Sequence, residues 1–244
     1  MRNLMKALLA VALVAPSFAF ALGIGQSKHN LSSSQVAPNV RTNWDEVCVF
    51  CHTPHNSAGQ TKLLWNRTVP TGAGWAAGNA TTAGTLLPTA GQVQGVSAMC
   101  LSCHDGATAI GNVTNPSNRI AVAIAYNGTN VSATGQITGV LTRIGTNLQG
   151  SHPVSVPYPR TGKPGYASIA VSGADPTTYV APVTTGCLGS AQCAGNVAIP
   201  LYTDTSGRMG IECGSCHDAH DNVNGSFLRI ANVGSALCLS CHVK

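Results

Sequence analysis

The short pattern CxxCH occurs four times in the chain, and no other sequence feature limits the possible folds so strongly. The blocks occupy residues 48–52, 100–104, 213–217 and 238–242. Two cysteines three positions apart share one face of a helical turn, so both thiols of a block can reach the same object. Eight of the ten cysteines lie in these blocks. The blocks are therefore expected to organise the rest of the chain.

C-x-x-C-H is the attachment signature of c-type haem. The two thiols bind the two vinyl groups of one porphyrin, and the histidine becomes the proximal ligand of its iron. Structural zinc and iron–sulfur sites also use CxxC pairs, but they do not explain why a histidine follows every pair. The sequence therefore predicts four covalently attached haem c groups, held by Cys48, Cys51, Cys100, Cys103, Cys213, Cys216, Cys238 and Cys241.

The number of histidines predicts how the irons are ligated. The chain has eight, and four irons with two axial ligands each need eight. The predicted proximal ligands are His52, His104, His217 and His242. A single extra histidine is usually a surface or core residue, but none is left over here, and the predicted distal ligands are His29, His55, His152 and His220. His55 and His220 each follow a proximal histidine by three residues, so each is expected to ligate a neighbouring haem.

The histidines and cysteines form an internal repeat, in which a leading histidine is followed by CxxCHxxH and then by CxxCH. Four segments follow from it: a signal peptide at 1–21, a first haem pair at 22–104, an inserted segment at 105–205 and a second haem pair at 206–244. The insertion is rich in Gly, Thr and Ser. An alternative reading of the insertion is surface padding without a role of its own.

The predicted fold class is a multihaem cytochrome c, mostly irregular coil with short helical turns at the CxxCH motifs and a few short β-strands, wrapped round a stack of four haems. Only 5% of residues are aromatic, so the porphyrins should supply much of the buried apolar surface. Asn127-Gly128 between β-branched runs predicts a hairpin. GYASIAV and AIPLYTD predict further strands, and a longer helical piece is expected at 233–241.

The N-terminal segment has the pattern of a secretory signal peptide. Arg2 and Lys6 precede an apolar run, and Ala19-Phe20-Ala21 matches a small-residue cleavage site. An uncleaved anchor is the alternative, and no later stretch is apolar and long enough to span a bilayer. The protein is therefore expected to be exported, to the extracellular space or cell surface or, alternatively, to the periplasm.

Two cysteines lie outside the haem blocks. Cys187 and Cys193 flank the sequence LGSAQ, and Ala194 follows the second, so a fifth haem site is excluded. In an exported protein such a close pair is expected to form a disulfide. The alternative is two free thiols.

Charge limits the partners. Arg2 and Lys6 are two of 13 basic side chains, against 8 acidic ones, and each ferric haem adds about one negative charge from its propionates. The mature holoprotein should therefore be nearly neutral, which favours association. No basic run is present, so no nucleic-acid partner is expected.

Several segments resemble the doubled-CxxCH multihaem cytochromes. They are KHNLSS, CVFCHTPH, SHPVSV, IPLYTDTSGRMGIECGSCHDAH and LCLSCH. Within that group the chain most resembles the extracellular tetrahaem cytochromes that polymerise into nanowires, and the likeness covers nearly the whole mature chain, with the insertion matched only loosely. The resemblance implies an irregular fold round a continuous stack of bis-histidine haems, with one axial histidine supplied across a subunit boundary.

The predicted function is electron transfer and not catalysis, because eight histidines for four irons leave no position for a substrate. Met209 is the one credible substitute ligand, since Met99 directly precedes Cys100. Redox partner proteins or extracellular electron acceptors are the expected partners. The alternatives are a monomeric periplasmic electron shuttle and, less favoured, a multihaem reductase with one open haem.

The position of His29 predicts a homopolymer. It lies on a polar arm, GQSKHNLSSSQ, near the start of the mature chain, whereas the last haem block ends at His242, two residues before the C-terminus. These two ends form complementary, non-identical surfaces, and such head-to-tail contacts produce open filaments. We expect His29 to ligate an iron of the adjacent subunit. The alternative is that it ligates a haem of its own first pair.

Overall fold

The structure is a computed structural model, and the predicted signal peptide, Cys187 and Cys193 lie outside the residues that it describes. The described residues are 23–36, 39–57, 64–70, 93–116, 123–158, 164–166, 169–171, 178–180, 199–203 and 209–242.

Helices in the described residues are few and short, and each α-helix carries cysteines of a CxxCH block. Helix α1 spans Gly95–His104, α2 spans Cys213–Cys216 and α3 spans Ala236–Leu239. Two 3₁₀ helices lie at Ile24–Gln26 and Val233–Ser235. Most of the remaining described chain is turn or coil, as predicted. No helix in this part of the chain is long and apolar enough to cross a membrane.

The helix before the fourth block is shorter than predicted. The predicted single piece over 233–241 is divided into the short 3₁₀ helix and α3. The helical path is interrupted at Gly234 and Ser235, whose φ angles are 61° and 64°. Left-handed dihedrals cannot continue a right-handed helix. The prediction of one continuous helix is therefore wrong.

A five-stranded antiparallel sheet forms from the insertion and the residues before the third block. Its strand order is β3-β7-β6-β5-β4. The strands are β3 at Val156–Pro157, β4 at Ile169–Val171, β5 at Thr178–Val180, β6 at Ile199–Thr203 and β7 at Met209–Ile211. The predictions of strands in GYASIAV and AIPLYTD are confirmed by β4 and β6.

A second, two-stranded sheet replaces the predicted hairpin. Strand β2 at Tyr126–Asn127 pairs antiparallel with β1 at Arg41–Thr42, far away in sequence. The prediction of a hairpin across Asn127-Gly128 is therefore wrong. Gly128 has a φ of 122°, and a Cβ there would lie 2.7 Å from the carbonyl oxygen of Asn39. The glycine permits this close approach of two backbones instead of a local turn.

In the described residues, buried apolar side chains form three small clusters, each beside a CxxCH block. One lies between the five-stranded sheet and α3 and includes Ile199, Leu201 and Ala236, with Cys241 packed against it. A second surrounds Leu101 of the second block. The third contains Val49 and Phe50 of the first block, together with Trp44. Because no cluster is large, each serves mainly to fix one block.

Candidate haem sites

The first CxxCH block is a single helical turn held by a distant segment. The backbone N–H of His52 donates to Cys48 O at 2.8 Å. An isolated bridge then joins His52 to Trp65, with hydrogen bonds from Thr53 N to Leu64 O and from Asn66 N to Cys51 O, each 2.9 Å. The bridging segment fixes the direction in which the proximal histidine leaves the turn.

The third block repeats this arrangement. His217 N donates to Cys213 O at 3.0 Å, and His217 forms a bridge with Leu228. The two flanking hydrogen bonds recur as Asp218 N to Phe227 O at 2.7 Å and Arg229 N to Cys216 O at 2.9 Å. The internal repeat seen in the sequence therefore extends to segments that contain no CxxCH motif.

One backbone conformation supports the same correspondence. Leu64 and Phe227, which occupy equivalent places in the two bridging segments, both have left-handed φ angles, 50° and 57°. Non-glycine residues seldom adopt that conformation. Its recurrence at both positions shows that the two halves share a local fold.

The second and fourth blocks each continue a helix. Ser102 Oγ donates to Met99 O at 2.6 Å, and Ser240 Oγ donates to Ala236 O at 3.0 Å. These serines occupy the same position in the two CLSC sequences and bond back along the helix that enters the block. Met99 is buried within α1, and Met209 lies in β7.

Six of the eight histidines lie in neighbouring pairs, one with nearly parallel rings and two with rings inclined by 63° and 64°. The ring centroids of His52 and His220 are 6.0 Å apart, and those of His29 and His104 are 6.1 Å apart. A third pair, His152 and His242, has a separation of 6.5 Å. Each pair combines one predicted proximal ligand with one predicted distal ligand.

These separations fit an iron between the rings. An imidazole nitrogen binds a transition metal at about 2.0 Å and lies about 1.1 Å from its ring centre, so two imidazoles on opposite faces of one iron have centres about 6.2 Å apart. The three measured separations lie close to that value. No group of three or more metal-ligating side chains occurs among the described residues, and a haem iron requires only two from the protein.

Hydrogen bonds at Nδ1 leave the Nε2 atom of several histidines available to bind iron. The Nδ1 atoms of His104 and His217 lie 2.6 Å from Thr142 O and 2.9 Å from Ser226 O. His152 Nδ1 lies 2.9 Å from Pro153 O. When Nδ1–H donates to a carbonyl, Nε2 keeps its lone pair for a metal.

The environment of His29 keeps its ring neutral, which metal ligation requires. Burial, together with the nearby His104, lowers the pKa of the His29 imidazole to about 4. Its Nδ1 lies 3.3 Å from Ala219 O, and its ring stacks on Phe227 with centroids 4.1 Å apart. Both contacts are within one chain. In the single chain the arm thus folds back between the two halves, and the expectation that His29 ligates an iron of the adjacent subunit stays a prediction.

The cysteines of successive blocks approach one another. Burial raises the pKa of the Cys51 thiol to about 12, with the neighbouring Cys103 thiol adding to the shift and Arg67 opposing it. A hydrogen bond between Cys100 and Cys213 raises the pKa of the former and lowers that of the latter. The first block is thus near the second, and the second is near the third.

The same holds between the third and fourth blocks. Burial raises the pKa of the Cys241 thiol to about 11, and the nearby Cys216 thiol adds to the shift. The four attachment positions therefore follow one another in space in their sequence order.

Two of the predicted ligands, His217 and His55, are not brought into ring contact with another histidine in the described residues. His217 has no facing histidine in the described part of the chain, and His55 contacts no other imidazole there. Both are exposed. They are the remaining proximal and distal candidates once the three pairs are assigned.

Three groups near the first two blocks were not singled out from the sequence. The indole Nε1 of Trp65 is buried and bonds to no described atom, while its ring lies 5.8 Å from that of His52. Such an orphaned donor beside a ligand suits a carboxylate at a haem edge. The other two groups are the Arg67 side chain and the carbonyl of Thr142. No sequence motif marks any of the three.

The comparisons agree with the repeated motif. Residues 207–244, which hold the third and fourth blocks, match the family model of the doubled CXXCH motif. No curated protein matches the chain. The doubled motif indicates covalent binding of haem c, and it supports the interpretation of this chain as a multihaem c-type cytochrome.

Proposed function

We propose that the protein carries electrons along a row of four haem c groups and catalyses no reaction. The observation that supports this best is the spacing of three histidine pairs, 6.0, 6.1 and 6.5 Å between ring centroids. Two imidazoles at that distance would supply both axial ligands of one haem iron and would leave no free position on it for a substrate.

The bound haems supply one-electron redox chemistry, and the protein supplies attachment, ligation and spacing. The cysteines of each block would hold one porphyrin by its vinyl groups. The paired histidines would supply the axial ligands, with Nδ1 hydrogen bonds holding several of the rings. The approach of cysteines of successive blocks supports close contact between successive haems, which electron transfer needs.

For the remaining site we propose His217 as the proximal ligand and His55 as its distal partner. The repeat supports this pairing, because His220 of the second half faces His52 of the first half. The reciprocal arrangement joins His55 of the first half to His217 of the second. Two such cross-links hold the halves together through their irons.

We further propose that the exported protein polymerises head to tail into an extracellular filament. The nearly neutral holoprotein and the resemblance to nanowire cytochromes support this assembly.

A monomeric periplasmic shuttle is the second candidate, and one observation favours it. His29 lies 6.1 Å from His104 of its own chain, so this histidine is not needed as a link between subunits. A shuttle and a filament use the same haem chemistry and differ only in assembly.

Two measurements test these proposals. Intact mass should equal the chain from Leu22 plus four haems, and near-infrared magnetic circular dichroism should show only low-spin, bis-histidine iron. High-spin iron at about one quarter of the total would instead indicate a reductase with an open haem. Electron microscopy and mass in solution then distinguish a filament from a monodisperse shuttle.

A further inference from the structure

The side chain of Arg67 is enclosed between the first two haem blocks. Its exposed fraction is 0%. The preceding residue, Asn66, donates its backbone N–H to Cys51 O at 2.9 Å. The Arg67 guanidinium reaches the other block, where Nη2 donates to Ser102 O at 2.7 Å. Ser102 stands between the two cysteines of that block, so the cation lies next to both attachment sites.

Among the described residues, every hydrogen-bond acceptor of this guanidinium is neutral. Nε donates to Ser102 Oγ at 3.1 Å, Nη1 to Ile110 O at 2.6 Å and Nη2 also to Ala109 O at 2.7 Å. In the described residues no carboxylate forms an ion pair with it. An arginine keeps its proton in proteins, so its positive charge remains in this interior. The buried carboxylate of Asp105 beside the second block opposes it only at a distance, because that carboxylate accepts hydrogen bonds from Ala107 N and Thr108 N and not from Arg67.

A buried charge acts on its surroundings more strongly than an exposed one. Solvent and salt screen surface charges, whereas the field of a charge in the low-dielectric interior is screened much less. Reduction of a ferric haem adds one negative charge to the site. A fixed cation nearby therefore favours the reduced form and raises the reduction potential.

The second half provides an internal comparison. Asn66 and Arg229 are equivalent, because their backbone N–H groups donate to Cys51 O and Cys216 O respectively. The position after Arg229 is Ile230, which is buried and apolar where the first half has Arg67. The cation of the second half is neutralised, since Arg229 Nη1 lies 3.2 Å from Asp218 Oδ2.

We propose that Arg67 raises the reduction potentials of the first haem pair above those of the second pair, so that an electron on the chain resides preferentially in the first half. This inference rests on the proposed electron-transfer function. In the internal step, one ferrous iron of the second pair is oxidised to ferric while one ferric iron of the first pair is reduced to ferrous. Electrons balance, and no further reactant is needed.

The test is a spectroelectrochemical titration of the purified holoprotein. Arg67→Met removes the charge, and we expect the highest-potential components of the curve to move to lower potential while the lowest remain unchanged. Arg67→Lys keeps the charge and should stay close to the wild type. Lys28→Met removes an exposed cation and should shift the curve much less, because solvent already screens it.

A second neutral variant distinguishes the loss of charge from a folding defect. Arg67→Gln retains amide hydrogen-bond donors without the charge, and it should give the same downward shift as Arg67→Met. Titration curves of both neutral variants that superimpose on the wild type, at equal haem content and spin state, overturn the inference alone. A wild-type protein with high-spin iron, or without reversible reduction, overturns the proposed function and this inference with it.

Discussion

The imidazole rings of His52 and His220 face each other with centroids 6.0 Å apart and planes 20° from parallel, although they belong to opposite halves of the chain. One is the predicted proximal ligand of the first CxxCH block, and the other follows the third block by three residues. An iron bound between them would join the halves, and haem binding would then be coupled to the association of the two halves.

Replacement of His220 by Ala should leave one haem without its second axial ligand. We expect that haem to become high-spin while the other haems keep their low-spin spectra, because the His29–His104 and His152–His242 pairs do not involve this side chain. Electron paramagnetic resonance of the oxidised protein measures the change. The exposed Val223 offers a matched control, and Val223→Ala should retain the wild-type spectrum. Unchanged spin in His220→Ala would contradict this pairing.

The candidate haem-binding residues could be counted from the sequence, because covalent attachment of haem requires the fixed spacing of the CxxCH block. Four CxxCH blocks and four further histidines followed from counting, and so did short helical turns within coil. The pairing of distant histidines was not readable, because it depends on how His29 folds back onto Ala219 and Phe227. The hairpin at Asn127-Gly128 failed for a similar reason, since Arg41–Thr42 offered β2 a distant partner.

Sequence patterns also failed to identify buried side chains that act neither as attachment thiols nor as axial ligands. Arg67 and Trp65 lie in a segment without any motif. Their roles come from the bridge between His52 and Trp65, a long-range backbone contact that local patterns do not predict. The same contact in the second half, between His217 and Leu228, becomes visible only when the two folds are compared.

Glu212 joins the helices that carry the second and third blocks. Its buried carboxylate accepts hydrogen bonds from Ser97 N at 3.2 Å and Ser155 Oγ at 3.1 Å, and it forms a capping box with Ser215. Glu212→Ala should lower the free energy of unfolding by about 1–3 kcal/mol, because buried donors lose their acceptor. Denaturant unfolding followed at the Soret band measures this.

A less buried carboxylate provides the control for Glu212. Asp221 is half-buried and accepts one local hydrogen bond, from Val223 N at 2.9 Å. Asp221→Ala should change the unfolding free energy by less than about 1 kcal/mol. Equal losses in the two variants would show that Glu212 has no special part in joining the helices.

Cys187 and Cys193 lie outside the described residues, and their pairing stays a prediction. Under denaturing, non-reducing conditions an alkylating reagent should label neither, because a disulfide has consumed both thiols. Reduction of that bridge should lower the free energy of unfolding by about 2 kcal/mol, as expected for a short loop. Mass spectrometry of the peptides reads the outcome directly, and labelling of both without reductant would rule out the disulfide.

His29 allows the link between ligation and assembly to be tested. Its ring lies 6.1 Å from that of His104 in the same chain, and burial lowers its pKa to about 4, so the ring is neutral and ready to bind iron. His29→Ala should therefore convert one haem to high spin without changing the size of the assembly. Spin state is read by electron paramagnetic resonance, and size by light scattering.

Lys28→Ala is the matched control, since Lys28 is the neighbouring residue and its side chain is exposed. It should alter neither spin state nor size. If His29→Ala instead dissolves filaments into monomers or short oligomers while Lys28→Ala does not, then His29 ligates an iron of the adjacent subunit in the assembled protein. Loss of the low-spin signal at unchanged size places both ligands of the His104 iron in one chain, and the contact that builds a filament must then lie elsewhere.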